Sequence, residues 1–193
     1  QAFGGQIAEI IIYDKELSVF EKLRVHNYLA AKFNLPLKYN QDNTDYTDPD
    51  YNKQLIVIGN ETVDYNASVG NGGAVYINKT AGGFNTGEKI WLAHDGTTHG
   101  VSNDEVNGGS RWKRSFRLQR DNSSNATISV DLSFGTVDAG FGVNTLGGYT
   151  ADDYRLLFRS DESSNFEPVV GVTAVLTDAN KVTFSVSGDK LDN

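Results

Sequence analysis

The clearest periodicity in the chain runs from 127 to 134, where Ile128, Val130, Leu132 and Phe134 alternate with Thr127, Ser129, Asp131 and Ser133. A period of two sets successive side chains on opposite faces of an extended chain, so the segment predicts a strand with one face inward and one to solvent. The pattern returns at 181–187 with Val182, Phe184 and Val186 inward, and Tyr154, Leu156 and Phe158 form another inward set. Further strands are expected at 55–58, 74–78, 89–94, 112–119 and 170–176, each a short apolar or alternating run. Breakers separate them: Gly70 to Gly73, Ala81 to Gly83, Asn107 to Gly109 and Gly147 with Gly148. About eight strands with no helical pattern between them predict an antiparallel β-sandwich. Parallel pairing would need crossover helices, and none is written between these strands.

The front of the chain follows another rule. Ile7 to Tyr13 is an apolar run rich in β-branched residues and predicts a buried strand. Ser18 and Glu21 stand in S-x-x-E spacing, in which a hydroxyl and a carboxylate each satisfy a free amide at a helix start. Val19, Leu23, Ala30 and Phe33 fall on one stripe, His26 sits in that stripe as a hydrogen-bonded interface histidine, and Asn34 and Pro36 supply a stop, so a helix is expected over 18–33. One strand and one helix cannot bury their apolar faces alone and must dock on something. From 38 to 53 the composition turns acidic and poor in aliphatics, as in a solvated linker. The expected organisation is a strand and helix of one domain in 1–36, an acidic linker in 37–53, and the β-sandwich in 54–193.

Composition narrows the partners. The 193 residues are 38% hydrophobic and 11% aromatic, which suits a folded chain and excludes disorder along the whole length. Lys+Arg 17 against Asp+Glu 25 gives a net charge of −8, a field that repels nucleic acid and anionic membrane surfaces. Cysteine is absent, which removes disulfides, thiolate metal sites and thiol nucleophiles together. No apolar run is long enough to insert in a bilayer. The chain opens on Gln1 and holds no Met, so it is expected to be a piece of something longer.

Candidate chemistry is sparse. Arg111, Lys113, Arg114, Arg117 and Arg120 crowd within ten positions. On one continuous strand Arg111, Lys113 and Arg117 would share an outer face opposite Trp112, Phe116 and Leu118, with Arg114 requiring a bulge or a partner inside. That basic ribbon either binds an acidic surface polysaccharide or pairs with carboxylates across the sheet. Tyr39, Tyr46, Tyr51, Tyr65 and Tyr149 fall in expected loops, where an exposed ring could stack on a sugar. The candidate ligand-binding residues are therefore Arg111, Lys113, Arg117 and Tyr149. Asp42, Asp45, Asp48 and Asp50 in the linker either are simply solvated or hold a structural calcium ion, which takes six to eight oxygens. His94 and His99 flank Asp95 and Thr97, a pattern of either a polar turn or two ligands lacking a third. N-x-S/T triplets at Asn60, Asn66, Asn78, Asn122 and Asn125 are expected by chance in a chain so rich in these residues. G-x-S-x-G, H-E-x-x-H and P-loop patterns are all missing, so no enzymatic activity is expected.

The block Gly5-Gln6-Ile7-Ala8-Glu9-Ile10-Ile11-Ile12-Tyr13-Asp14, with Leu17-Ser18 and Tyr28-Leu29-Ala30-Ala31-Lys32-Phe33, resembles the C-terminal end of bacterial laminin-G-like (concanavalin A-like) domains. The resemblance implies that this strand closes a jelly roll and that the helix packs after it. The remainder, through Ile90 to Gly96, Arg111 to Leu118 and Tyr154 to Leu157, is similar to a β-module of very large secreted proteins of the Bacteroidota. In those modules an acidic D-x-D-G-D-like turn follows; here it reads Asp161-Glu162-Ser163-Ser164-Asn165, a departure that removes the metal pattern. The setting implied is a noncatalytic, extracellular segment of a cell-surface adhesin or stalk, exported by type 9 secretion and linked to gliding motility. Its partners would be neighbouring domains of the same long chain, a surface polysaccharide, and the secretion or motility machinery. The alternative is a carbohydrate-binding accessory module of a secreted glycoside hydrolase.

Overall fold

The alternation becomes the middle strand of a five-stranded sheet over 127–133, with Phe134 outside the described residues. A computed structural model describes residues 5, 7–18, 21–22, 25–26, 29, 48–62, 65–67, 69–71, 75–98, 100–106, 108–120, 126–133, 149–178, 181–187 and 190. The strands among them are β1 (Lys53–Thr62), β2 (Tyr65–Ala67), β3 (Val69–Asn71), β4 (Val75–Ala81), β5 (Lys89–His94), β6 (Val101–Val106), β7 (Gly109–Trp112), β8 (Phe116–Arg120), β9 (Thr127–Ser133), β10 (Leu157–Phe158), β11 (Glu167–Pro168), β12 (Ala174–Asp178) and β13 (Lys181–Val186). One sheet has the order β2-β1-β5-β8 and the other β12-β13-β9-β4-β3, while β6-β7 and β10-β11 form separate hairpins. Every pairing is antiparallel.

The two larger sheets share one core, which makes the arrangement a β-sandwich. Ile56, Ile58, Ile90 and Leu92 of the first sheet meet Val75, Ile77, Ile128, Val130, Val182, Phe184 and Val186 of the second. Register delivers this match: Phe184 lies opposite Val130 and Val186 opposite Ile128, so the inward sets of β9 and β13 coincide. On the other face of that sheet Lys181 pairs with Asp131 at 2.9 Å, as a solvent-side pair should. Burying each large apolar side chain contributes about 1.5–3 kcal/mol. The middle strands β1 and β5 do not alternate, because Leu55, Val57, Trp91 and Ala93 form a second buried cluster with Tyr51 on the opposite face. Strands covered on both sides read as continuous apolar runs.

Three expected strands are redrawn. The run 112–119 is not one strand: β7 pairs with β6, β8 pairs with β5, and Lys113 to Ser115 bend between them. The bend is held by Asp95, whose Oδ2 accepts the Ser115 hydroxyl at 2.9 Å, and by Arg114, whose Nε donates to the Thr97 carbonyl at 3.0 Å. The irregularity that Arg114 required is thus a complete break. Of the 154–158 set, Tyr154 and Leu156 pack on the core, but Phe158 is exposed and only Leu157–Phe158 pairs, with Glu167–Pro168. The strand expected from 170 starts at Ala174, because Val169 to Val172 form a turn with Gly171 at φ +77°.

The front segment also differs. Ile7 to Tyr13 forms no strand and, apart from the half-buried Glu9, is exposed, with Ile10 at 70% and Ile12 at 88%. An apolar run buries itself only when a sheet receives it, and none does so among the described residues. The capping box forms: the Ser18 amide donates to Glu21 Oε2 at 2.9 Å and the Glu21 amide to Ser18 Oγ at 3.1 Å. The described residues that follow, 21–22, 25–26 and 29, are helical, and His26 is exposed rather than set in an apolar interface.

Candidate ligand groove

A cavity of about 1210 Å³ is lined by β7–β8 and the segment 149–169 and reaches inward to core residues including Val75, Leu92, Val130 and Phe184. The first wall carries Arg111, Arg114, Arg117 and Arg120, the second Arg155 and Arg159. Carboxylates on the walls are fewer among the described residues: Asp153, Asp161 and Glu162.

The geometry of the second wall comes from local turn chemistry. Thr150 donates its amide and hydroxyl to Asp153 Oδ2 at 2.7 and 2.9 Å, which starts the 3₁₀ turn Ala151–Asp153. These bonds hold the Asp153 carboxyl below the ordinary carboxylate range. The hairpin loop is wound on Asp161, whose two oxygens accept the amides and hydroxyls of Ser163 and Ser164 and the Ser160 hydroxyl. The serine bonds push the Asp161 carboxyl far down. The carboxylate is thereby occupied as a turn organiser, which fits a sequence that departs from the metal pattern.

Arg159 and Phe166 flank that loop. Arg159 donates Nη1 to the Glu162 carbonyl at 2.9 Å and Nη2 to the Tyr51 hydroxyl at 3.1 Å. Its guanidinium carbon sits 4.7 Å from the Phe166 ring centroid, and that of Arg111 lies at the same distance from the same ring. The two guanidiniums are therefore no more than twice that distance apart. Stacking on an aromatic face orients a guanidinium plane, and Arg111 is held further by Nη1, which donates to the Trp112 and Lys113 carbonyls at 3.0 and 3.2 Å. Both hydrogen-bond acceptors of Arg159 are neutral, and among the described residues no carboxylate lies within ion-pair distance of it.

The residues singled out from sequence scatter over this frame. Arg111 and Arg117 reach the groove from different strands, β7 and β8, while Lys113 is exposed at the bend between them and its amide donates to the Gly100 carbonyl at 2.8 Å. Arg117 Nε stands 3.8 Å from Asp48 Oδ2. Tyr149 lies at the rim, 59% exposed, with its ring edge-on to Tyr154 at 6.2 Å. Burial pushes the Tyr154 phenol up, and the Tyr149 and Asp153 charges act in the same direction. Tyr51 is corrected from an exposed loop ring to a core residue, 7% exposed. Tyr65 lies in β2, and Tyr39 and Tyr46 lie outside the described residues.

Of the linker acids, Asp48 accepts the Asp50 and Tyr51 amides at 3.0 and 3.1 Å, an ordinary turn, and Asp50 is exposed. Asp42 and Asp45 lie outside the described residues, and among those described no three acidic or imidazole groups converge. His94 is buried, accepts the Gly96 amide at Nδ1 and packs its ring against Phe116 at 5.7 Å. His99 lies outside the described residues. Burial opposes ionisation of Asp95, but hydrogen bonds from Thr97 and Ser115 outweigh it and hold the carboxyl below its ordinary range.

Arg155, Arg159 and Phe166 were not singled out. The signal was present, since Arg155 and Arg159 alternate out of phase with Tyr154, Leu156 and Phe158. Among the described residues no helix is long and apolar enough to cross a membrane. Compared with known proteins, the chain matches no protein family, no curated sequence and no solved structure.

Proposed function

We propose that this chain is a noncatalytic extracellular segment of a large secreted bacterial surface protein, acting as part of an adhesin or stalk. In this reading 1–36 is the closing strand and helix of a laminin-G-like jelly roll, 37–53 a linker and 54–193 the sandwich module. Type 9 secretion and a link to gliding motility belong to the same reading and rest on the sequence resemblance alone.

The observation that carries it is the exposure of Ile7, Ile10 and Ile12 immediately before a capped helix start. A β-branched run of this kind prefers a pleated, half-buried setting, an exposed apolar run marks a contact surface, and the sandwich core does not include it. A sheet built by another part of a longer protein would receive it, and tandem sandwiches make a stiff rod. Small-angle scattering on the full secreted protein should return an elongated particle, with slow amide exchange at 7–13. A compact particle that turns over polysaccharide would overturn the proposal.

The second reading, a carbohydrate-binding accessory module of a glycoside hydrolase, is favoured by the groove and by the exposed ring of Tyr149. A hydrolase domain in the same polypeptide would select it.

A further inference from the structure

We infer that the cavity between the two sheets is a binding site for an uncharged hydrophobic small molecule. The occupant lies against core side chains of both sheets and enters past Tyr149, whichever of the two functional readings holds for the chain.

Topology leaves room for it. β2 and β3 stand one residue apart in the chain and end the two sheets on the same side, so the sandwich is joined there by a short corner. On the other side the first sheet ends at β8 and the second at β12. The cavity, about 1210 Å³, follows β8 inward from Tyr149, which is 59% exposed, to Leu92 of the first sheet and Val75, Val130 and Phe184 of the second. Ligand pockets commonly hold about 300–1,000 Å³, so the space admits a lipid-sized body. Protein cores are otherwise packed like organic crystals, with few voids larger than a water molecule. Unfilled apolar volume destabilises a core in proportion to its size, and water placed there needs about two to four polar partners that aliphatic walls do not offer. An apolar molecule restores the missing contacts.

The rim does not select for charge, because its ionic groups are engaged by the protein itself. Arg111 donates to the Trp112 and Lys113 carbonyls, Arg114 to the Thr97 carbonyl and Arg155 to the Asp152 and Tyr154 carbonyls. Arg159 is held by the Glu162 carbonyl and the Tyr51 hydroxyl, and Arg117 stands 3.8 Å from Asp48. Asp153 and Asp161 are occupied by the hydroxyls and amides of their own turns. What both walls add is aromatic surface. Trp112 and Phe116 pack 5.4 Å apart on β7–β8, and Tyr149 and Tyr154 pack 6.2 Å apart on the opposite wall. Rings in this arrangement offer flat apolar area, and burying a ligand against them is driven by the area it removes from water.

The test titrates the full chain with N-phenyl-1-naphthylamine, an uncharged apolar dye that brightens on leaving water, and then competes the bound dye with 1-decanol, decanoate and maltose. Binding should saturate, 1-decanol should displace the dye more strongly than decanoate, and maltose should not displace it. Val130→Trp fills the cavity from the second sheet and Leu156→Trp from the 149–169 wall, with circular dichroism reporting the fold of each. A folded filling variant should bind the dye roughly tenfold more weakly, the equivalent of about two methylene groups of lost burial. Ile12→Thr, in the exposed front segment, should bind as wild type. The inference is overturned by the absence of saturable binding, which would mean that the chain itself fills the space. It is equally overturned by displacement with maltose, by decanoate competing as well as 1-decanol, or by a folded filling variant that binds as wild type. Loss of dye binding in Ile12→Thr would put the dye on the front segment and overturn it too. Should both filling variants fail to fold, the order of displacement decides.

Discussion

The hydroxyl of Tyr51 accepts a hydrogen bond from Arg159 Nη2 at 3.1 Å, joining residues 108 positions apart in the chain. Tyr51 is packed with Leu55, Val57, Trp91 and Ala93 on the outer side of the first sheet, so that cluster anchors one wall of the groove. Tyr51→Phe keeps the ring and removes the anchor. Urea denaturation should show a loss of about 1 kcal/mol. Wild-type stability would mean that the hydrogen bond from Arg159 adds nothing to the fold.

Asp95 ties the end of β5 to Ser115 and predicts a pH dependence. Its folded carboxyl is held below the unfolded value of roughly 3.9. Its contribution is therefore fully present above the unfolded pKa and is lost as pH falls through the folded one. Asp95→Asn should be less stable than wild type at pH 7, and the gap should narrow as pH drops below about 4. A gap that stays constant across that window would rule out the carboxylate as the source.

Gly59 sits where two strands touch. A Cβ there would lie 2.3 Å from the Glu88 carbonyl oxygen and 2.8 Å from the Lys89 Cα, with φ at +156°. Backbone atoms cannot step aside, so Gly59→Ala should cost about 2 kcal/mol or more. Gly87 has φ +89° but open space around it, so Gly87→Ala should cost only about 1 kcal/mol. Thermal melts of the two variants should fall in that order; the reverse order would show that conformation, not the contact, sets the cost.

The front segment makes a further prediction. Ile10→Thr and Ile12→Thr alter residues 70% and 88% exposed, so each should change the stability of the sandwich by no more than about 0.5 kcal/mol. A large drop in the melting temperature would mean that the segment packs on this core.

Legibility followed the distance over which each feature is decided. The inward sets of β9 and β13 could be read directly, because a period of two is a property of neighbouring residues. The bounds of β5 matched because Ile90 to Ala93 form one continuous apolar run, as a strand covered on both faces does. The break at Lys113 to Ser115 could not be located, because Asp95 and Thr97 hold it from another strand end. Tyr51 looked like a loop ring because its neighbours are polar, and its burial depends on Trp91, forty positions on. Arg111 and Arg117 were visible as a basic cluster, but as one strand face rather than one wall of a concavity.

By itself the sequence determined a mainly β, antiparallel chain, a capped helix start, an acidic average charge and a concentration of arginine near 111–120. All of these are encoded by composition and by spacings of a few residues. Only the tertiary structure decided that Arg111 and Arg159 share the ring of Phe166 and that Tyr51 braces one of them. Such contacts arise when two sheets and a hairpin pack, and packing is set by shape and burial between segments far apart in the chain.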